Sequence, residues 1–165
     1  MRVLLSIFLG VFISFAVYAQ SQTDTTFQSD MRLRAGLNIG CEINMKFPDR
    51  VAGKAYTSVL GSDDGVQYAG FDAGHNAQCK INGEEGATVD VVIPGTSWDM
   101  SQGSDVITIS SFEINSAATP NQLLGATLGS SGLDLEIEGF IDTMPGGLPT
   151  GSYVNSGITI EVEYQ

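Results

Sequence analysis

The chain has 165 residues, a mass of 17.4 kDa and 7 basic against 19 acidic groups, for a net charge of −12. That length is about one domain, which excludes a multidomain enzyme. The acidity argues against a nucleic-acid backbone as partner, because phosphates need Lys and Arg to neutralise them. With 42% hydrophobic residues the chain can bury a core, so it is no acidic disordered tail.

The first residues read as an address. Arg2 is a one-charge head, residues 3–17 are an apolar run, and Val17-Tyr18-Ala19 has the small-residue spacing of a signal-peptidase site. Cleavage is expected after Ala19. The other reading is an uncleaved anchor, but about 15 apolar residues fall short of the roughly 20 that a spanning helix needs. No later stretch is long enough to span a membrane after signal cleavage. Losing Arg2 alone turns 7 basic groups into 6 and the balance from −12 to −13. The expected mature product is exported and soluble.

Export gives meaning to the two cysteines. Cys41 and Cys79 are an even pair in an oxidising compartment, so a disulfide is expected between them, with two buried thiols as the alternative. It would close a loop of about 39 residues, worth roughly 3–4 kcal/mol in the loop-entropy picture. Metal binding has little to stand on. His75 is the sole histidine, and no CxxC or HxxxH spacing occurs.

Residues 20–30 are a polar leader rich in Thr, Gln and Asp, broken only by Phe27. Period 2 then begins. Met31, Leu33, Ala35, Leu37 and Ile39 alternate with Arg32, Arg34 and Asn38, which predicts a half-buried strand over residues 31–39 weakened at Gly36. The alternation resumes as Ile43, Met45 and Phe47 and stops at Pro48. Residues 54–60 are a further candidate strand, followed by a turn cluster at 61–65 and an ambiguous stretch at 67–71. Residues 77–81 alternate around Cys79. Asn82-Gly83 then predicts a hairpin into the β-branched run 88–93, which ends at Pro94-Gly95. Residues 105–114 read as one strand carrying Val106, Ile107, Ile109, Phe112 and Ile114, and 121–128 as strand or loop. Residues 133–141 alternate again. The last run sets Ile158, Ile160, Val162 and Tyr164 against Thr159, Glu161 and Glu163. No window shows a 3.6 period. The pattern predicts an all-β chain: one immunoglobulin-like antiparallel β-sandwich over residues 31–165, of about seven to nine strands with one disulfide.

The search for chemistry is mostly negative. There is no GxSxG, Walker loop or HExxH. Asp63-Asp64, Asp72 and Glu84-Glu85 sit in Gly-rich loops, as solvated turn residues or as a calcium loop lacking EF-hand spacing. Nothing selects the facing carboxylate pair of a glycosidase. Trp98 is read as core or rim, with sugar stacking as the alternative. No catalytic residue, metal ligand or cofactor is assigned, and an enzyme is not expected.

The end of the chain carries the most specific pattern. Gly151, Tyr153, an alternating terminal strand and the penultimate Tyr164 resemble bacterial fimbrial subunits of the chaperone–usher type, although Gly151 stands one position off that family's commonest spacing. A single early disulfide also looks like that family. A closer match covers most of the mature chain: Ile43-Asn44-Met45-Lys46-Phe47-Pro48, then Gly53, then residues 77–86, then Val92-Ile93-Pro94, then Gly151-Ser152-Tyr153. In order and spacing these are similar to an exported bacterial domain family of unknown function, itself related to spore-coat protein U and fimbrial major subunits. The resemblance implies an immunoglobulin-like sandwich and a surface or appendage role, and it carries over no catalytic residue.

Physical logic points the same way. A sandwich lacking one strand exposes a groove that another chain's alternating strand can fill, and pilins are a known instance of this β-augmentation. Met31, Leu33, Leu37 and Ile39 form an apolar row that must be covered, because an exposed alternating strand invites pairing. The row is either the first strand of its own sandwich or inserts into a neighbour. The expected function is a structural or adhesive subunit of a surface appendage or coat, in the periplasm, at the cell surface or in a fimbrium. Its partners would be copies of itself or related subunits, with a periplasmic chaperone and usher. A free-standing module binding carbohydrate or mediating calcium-dependent adhesion is the alternative, and a small secreted hydrolase the least favoured.

Overall fold

The computed structural model describes residues 34–61 and 69–165. The signal peptide and polar leader, together with Met31, Leu33, Asp63 and Asp64, lie outside the described residues. The described chain contains no helix and forms ten strands. They are β1 (Asn38–Ile43), β2 (Tyr56–Leu60), β3 (Ala77–Asn82), β4 (Thr88–Val92), β5 (Trp98–Gln102), β6 (Asp105–Ile109), β7 (Ser111–Ile114), β8 (Gln122–Thr127), β9 (Leu133–Met144) and β10 (Glu161–Tyr164).

All pairing is antiparallel. The first sheet has the order β1-β3-β9-β2, with β7 also on β9; the second is β10-β4-β8; β5 and β6 form a hairpin. The 12 residues of β9 hold the first sheet together. Its first half pairs with β3 from Leu133 to Ile137, and its second half pairs with β2 from Phe140 to Met144. Meanwhile β7 runs along Ile137 to Phe140.

The alternation read from the sequence becomes the core. Along β9, Leu135, Ile137 and Ile141 point inward, and along β4 Val89 and Val91 do so, followed by Ile93. Together with Ile81, Ile109, Phe112 and Ile114 they make one apolar cluster drawn from both sheets, with no polar residue buried among the described ones. Each such side chain contributes about 1.5–3 kcal/mol by leaving water. The molecule is therefore an all-β sandwich with one disulfide, consistent with the immunoglobulin-like class.

Several boundaries differ from the sequence reading, each for a visible reason. Among the described residues the first strand is Asn38–Ile43, and residues 34–37 of the expected strand over 31–39 are not part of it. Asn38 pairs with Asn82, the last residue of β3, so no part of β3 remains to pair with anything upstream. Asn82-Gly83 closes no hairpin, because β3 and β4 belong to different sheets. Gly83 serves close approach instead. A Cβ there would stand 2.5 Å from the Tyr164 hydroxyl, 2.8 Å from Leu128 and 2.9 Å from Leu37. The run 105–114 is two strands, because Ser110 turns its N–H and its Oγ to the Phe140 carbonyl and the chain steps there from hairpin to sheet. β5 has only Trp98 and Met100 as apolar residues, and it is set by its register with β6. The last ladder covers Glu161–Tyr164 alone; Ile158 and Ile160 precede it yet still pack on the core.

Candidate functional site

Cys41 and Cys79 face each other in the β1–β3 register and are bonded, with Cα atoms 3.8 Å apart. Cys79 is buried and Cys41 exposed. The bridge fixes β1 to the sheet just where a long trough begins.

That trough has a volume of about 1340 Å³, more than the roughly 300–1,000 Å³ of an ordinary ligand pocket. The chain after β1, residues 44–51, lines one side. Residues 150–156 with Ile158 and Ile160, leading into β10, line the other. Its floor is the core itself, including Ile93, Ile109, Phe112, Ile137 and Ile141. Among the described residues, β1 pairs only with β3 and β10 only with β4, so each turns an unpaired edge outward.

Met45 and Phe47, already in phase with Ile43, lie over Gly139 in β9. A Cβ at 139 would stand 2.7 Å from the Met45 sulfur and 2.8 Å from the Phe47 ring. Glycine there interrupts the side-chain row of β9 and lets both residues rest on bare backbone. The sequence showed Gly139 only as a gap in an otherwise alternating run.

At the rim, Lys46 Nζ is 2.6 Å from Asp72 Oδ2 and 3.8 Å from Asp49 Oδ1. The hydrogen bond to Asp72 holds the Lys46 ammonium above its ordinary pKa, and the same bond holds the Asp72 carboxyl below its own. Both side chains stay largely in water, 42% and 74% exposed, so this is a surface ion pair of small weight. Its backbone is tied as well, since Lys46 and His75 exchange N–H to carbonyl bonds of 3.0 and 2.8 Å.

Tyr164 is the busiest terminal residue. Its hydroxyl accepts from the Glu84 N–H and donates to the Ala35 carbonyl, each at 2.8 Å, while the Arg34 guanidinium sits 5.0 Å above the ring. The clasp holds the root of the N-terminal segment at the end of β10, beside Gly83.

Of the residues singled out in the sequence, Leu37, Ile39, Tyr153, Ile158, Ile160, Val162 and Tyr164 are all half-buried against the core. Gly151, Tyr153, Ile158 and Ile160 line the trough. Removal from water, and then Asp105, push the Tyr153 phenol pKa up. Trp98 is buried edge-on to Phe112 at 4.7 Å, so its face is not offered to a sugar. Among the described residues no His, Cys, Asp and Glu side chains gather as a metal-holding group. No family model, curated protein or solved structure matches the chain.

Proposed function

We propose that the chain is an exported structural subunit of a bacterial surface appendage or coat, completed by an extended strand from another chain. The trough is the observation that carries this reading. It runs between residues 44–51 and residues 150–160 over a floor of core side chains that are themselves almost fully buried, and a concave, mainly apolar cleft of that kind suits an extended segment. A strand laid there would place alternate side chains on the floor and take its ladder bonds from the outer edge of β1, which pairs only with β3 among the described residues.

The chain carries a segment of that character. Phe27, Met31 and Leu33 continue the odd-numbered phase of Leu37 and Ile39, and they precede the point at which β3 runs out. The partners are accordingly other copies or related subunits, escorted by a periplasmic chaperone and usher, and the location is the periplasm, cell surface or fimbrium.

The test compares the mature chain with a Met31→Asp/Leu33→Asp variant by light scattering after gel filtration at several salt concentrations. The parent should form head-to-tail oligomers, more readily as salt screens the charge of −13. The variant should stay folded and monomeric and bind an added peptide of residues 23–37. A parent that stays monomeric at high concentration and salt, or a variant that unfolds, overturns the reading.

A further inference from the structure

We propose that Met45 and Met100 form an oxidation site in the trough, at which a peroxide-class oxidant stops strand uptake. The proposal rests on the strand-binding reading above. The chain has five methionines. All three that fall among the described residues, Met45, Met100 and Met144, line the trough. No other surface of the described molecule holds one.

Thioethers suit such a place, because the unbranched, polarisable side chain repacks around occupants of different shape. They also make it vulnerable. Met45 and Met100 are half-buried in the open trough, whereas Met144 is only 8% exposed. In the reaction the Met sulfur attacks a peroxide oxygen, the O–O bond breaks and an S–O bond forms. The sulfur gives up two electrons, one peroxide oxygen stays on it, and the other leaves as hydroxide, which takes the proton of the transferred OH and departs as water. The product is a polar, chiral sulfoxide.

At Met45 that oxygen would sit on the Gly61–Gly139 contact, where the Gly61 N–H already donates to the Gly139 carbonyl at 2.8 Å. An inserted strand would then cover an acceptor without a donor, which disfavours insertion. A strand already in place would shield both sulfurs. Free subunits are therefore the sensitive form and filled ones the protected form.

The experiment uses the mature chain carrying Met31→Asp/Leu33→Asp, the variant expected to be monomeric with an empty trough, and a labelled peptide of residues 23–37 carrying Met31→Leu. Hydrogen peroxide is added with and without peptide, and sulfoxides are mapped by peptide mass spectrometry. Met45 and Met100 should oxidise ahead of Met144 and be protected by bound peptide. Peptide affinity should fall about tenfold and return after methionine sulfoxide reductase. Adding Met45→Leu/Met100→Leu should keep uptake and make it indifferent to peroxide. Unchanged affinity with both residues oxidised, Met144 reacting first, or loss of the fold on oxidation overturns the proposal. A chain that never takes up the peptide sinks the strand-binding reading instead, while the order of oxidation still decides whether these two methionines are the modification site.

Discussion

Tyr164→Phe is the sharpest test of how the sandwich is closed, because it removes one oxygen and leaves the ring. That oxygen takes the Glu84 N–H and donates to the Ala35 carbonyl, both at 2.8 Å. The Ala35 carbonyl is exposed, so water replaces the hydroxyl there at little cost. The Glu84 N–H is part-buried, and losing its acceptor carries most of the penalty, about 1–2 kcal/mol for the whole change. For a domain of this size that is a fall of roughly 3–10 °C in Tm. Tyr164→Ala should cost more, about 2–4 kcal/mol, since a fully buried aromatic would lose about 3–5 and this ring is half-buried under Arg34. Tyr153→Phe is the control, because its hydroxyl reaches only the Pro149 carbonyl at 3.5 Å. Thermal unfolding by circular dichroism gives the midpoints, and hydrogen exchange reads the Glu84 amide. A Tyr164→Phe protein within about 1 °C of the parent, with the Glu84 amide exchanging as slowly as before, would refute the clasp.

Three further outcomes are expected. Cys41→Ser/Cys79→Ser should cost about 2–4 kcal/mol by denaturant titration, and the untreated parent should weigh two mass units less than its reduced form. Gly139→Ala should push Met45 and Phe47 off the floor, since a Cβ there meets them at 2.7 and 2.8 Å; overpacking of this kind costs about 1–3 kcal/mol, read from the same titration. Asp72→Asn should flatten the acid side of the stability curve slightly: the folded carboxyl lies below its unfolded value, so its contribution is present above the unfolded pKa and fades as pH falls through the folded one. Urea midpoints from about pH 6 to about pH 2 would show it, and an unchanged slope would refute it.

Strand existence was legible wherever one face is buried and the other wet. Residues 77–81, 88–93, 133–141 and the end of the chain alternate because β3, β4, β9 and β10 each lay one side on a common core. Which sheet a strand joins was not legible. Asn82-Gly83 has the composition of a hairpin turn, but its glycine is used for contact with Tyr164, Leu128 and Leu37. Ser110 looks like one more residue of a run, and only the Phe140 carbonyl on another strand makes it a step. Tyr164 was visible as a terminal residue and its partners were not, since Ala35 lies 129 positions away. The trough itself has no local signature, because it is made by edges that fail to meet.

The open trough has a local cause at the end of the chain. Residues 151–160 run beside the gap and could have closed it by pairing with the chain that follows β1. They are held elsewhere. Ser101 and Val154 exchange N–H to carbonyl bonds of 3.1 and 3.3 Å, and the Asn155 amide donates to the Asp99 carbonyl at 2.8 Å, so this stretch is tied to β5. The Gly157 N–H then bonds Asn155 Oδ1 at 2.7 Å, a local bond made just before Ile158. On the opposite wall Lys46 spends its backbone on His75. Both walls thus have their nearest polar groups committed away from the gap, while Met45, Phe47, Ile158 and Ile160 turn their side chains toward the core. A strand entering there competes with few existing bonds and covers surface that is already apolar.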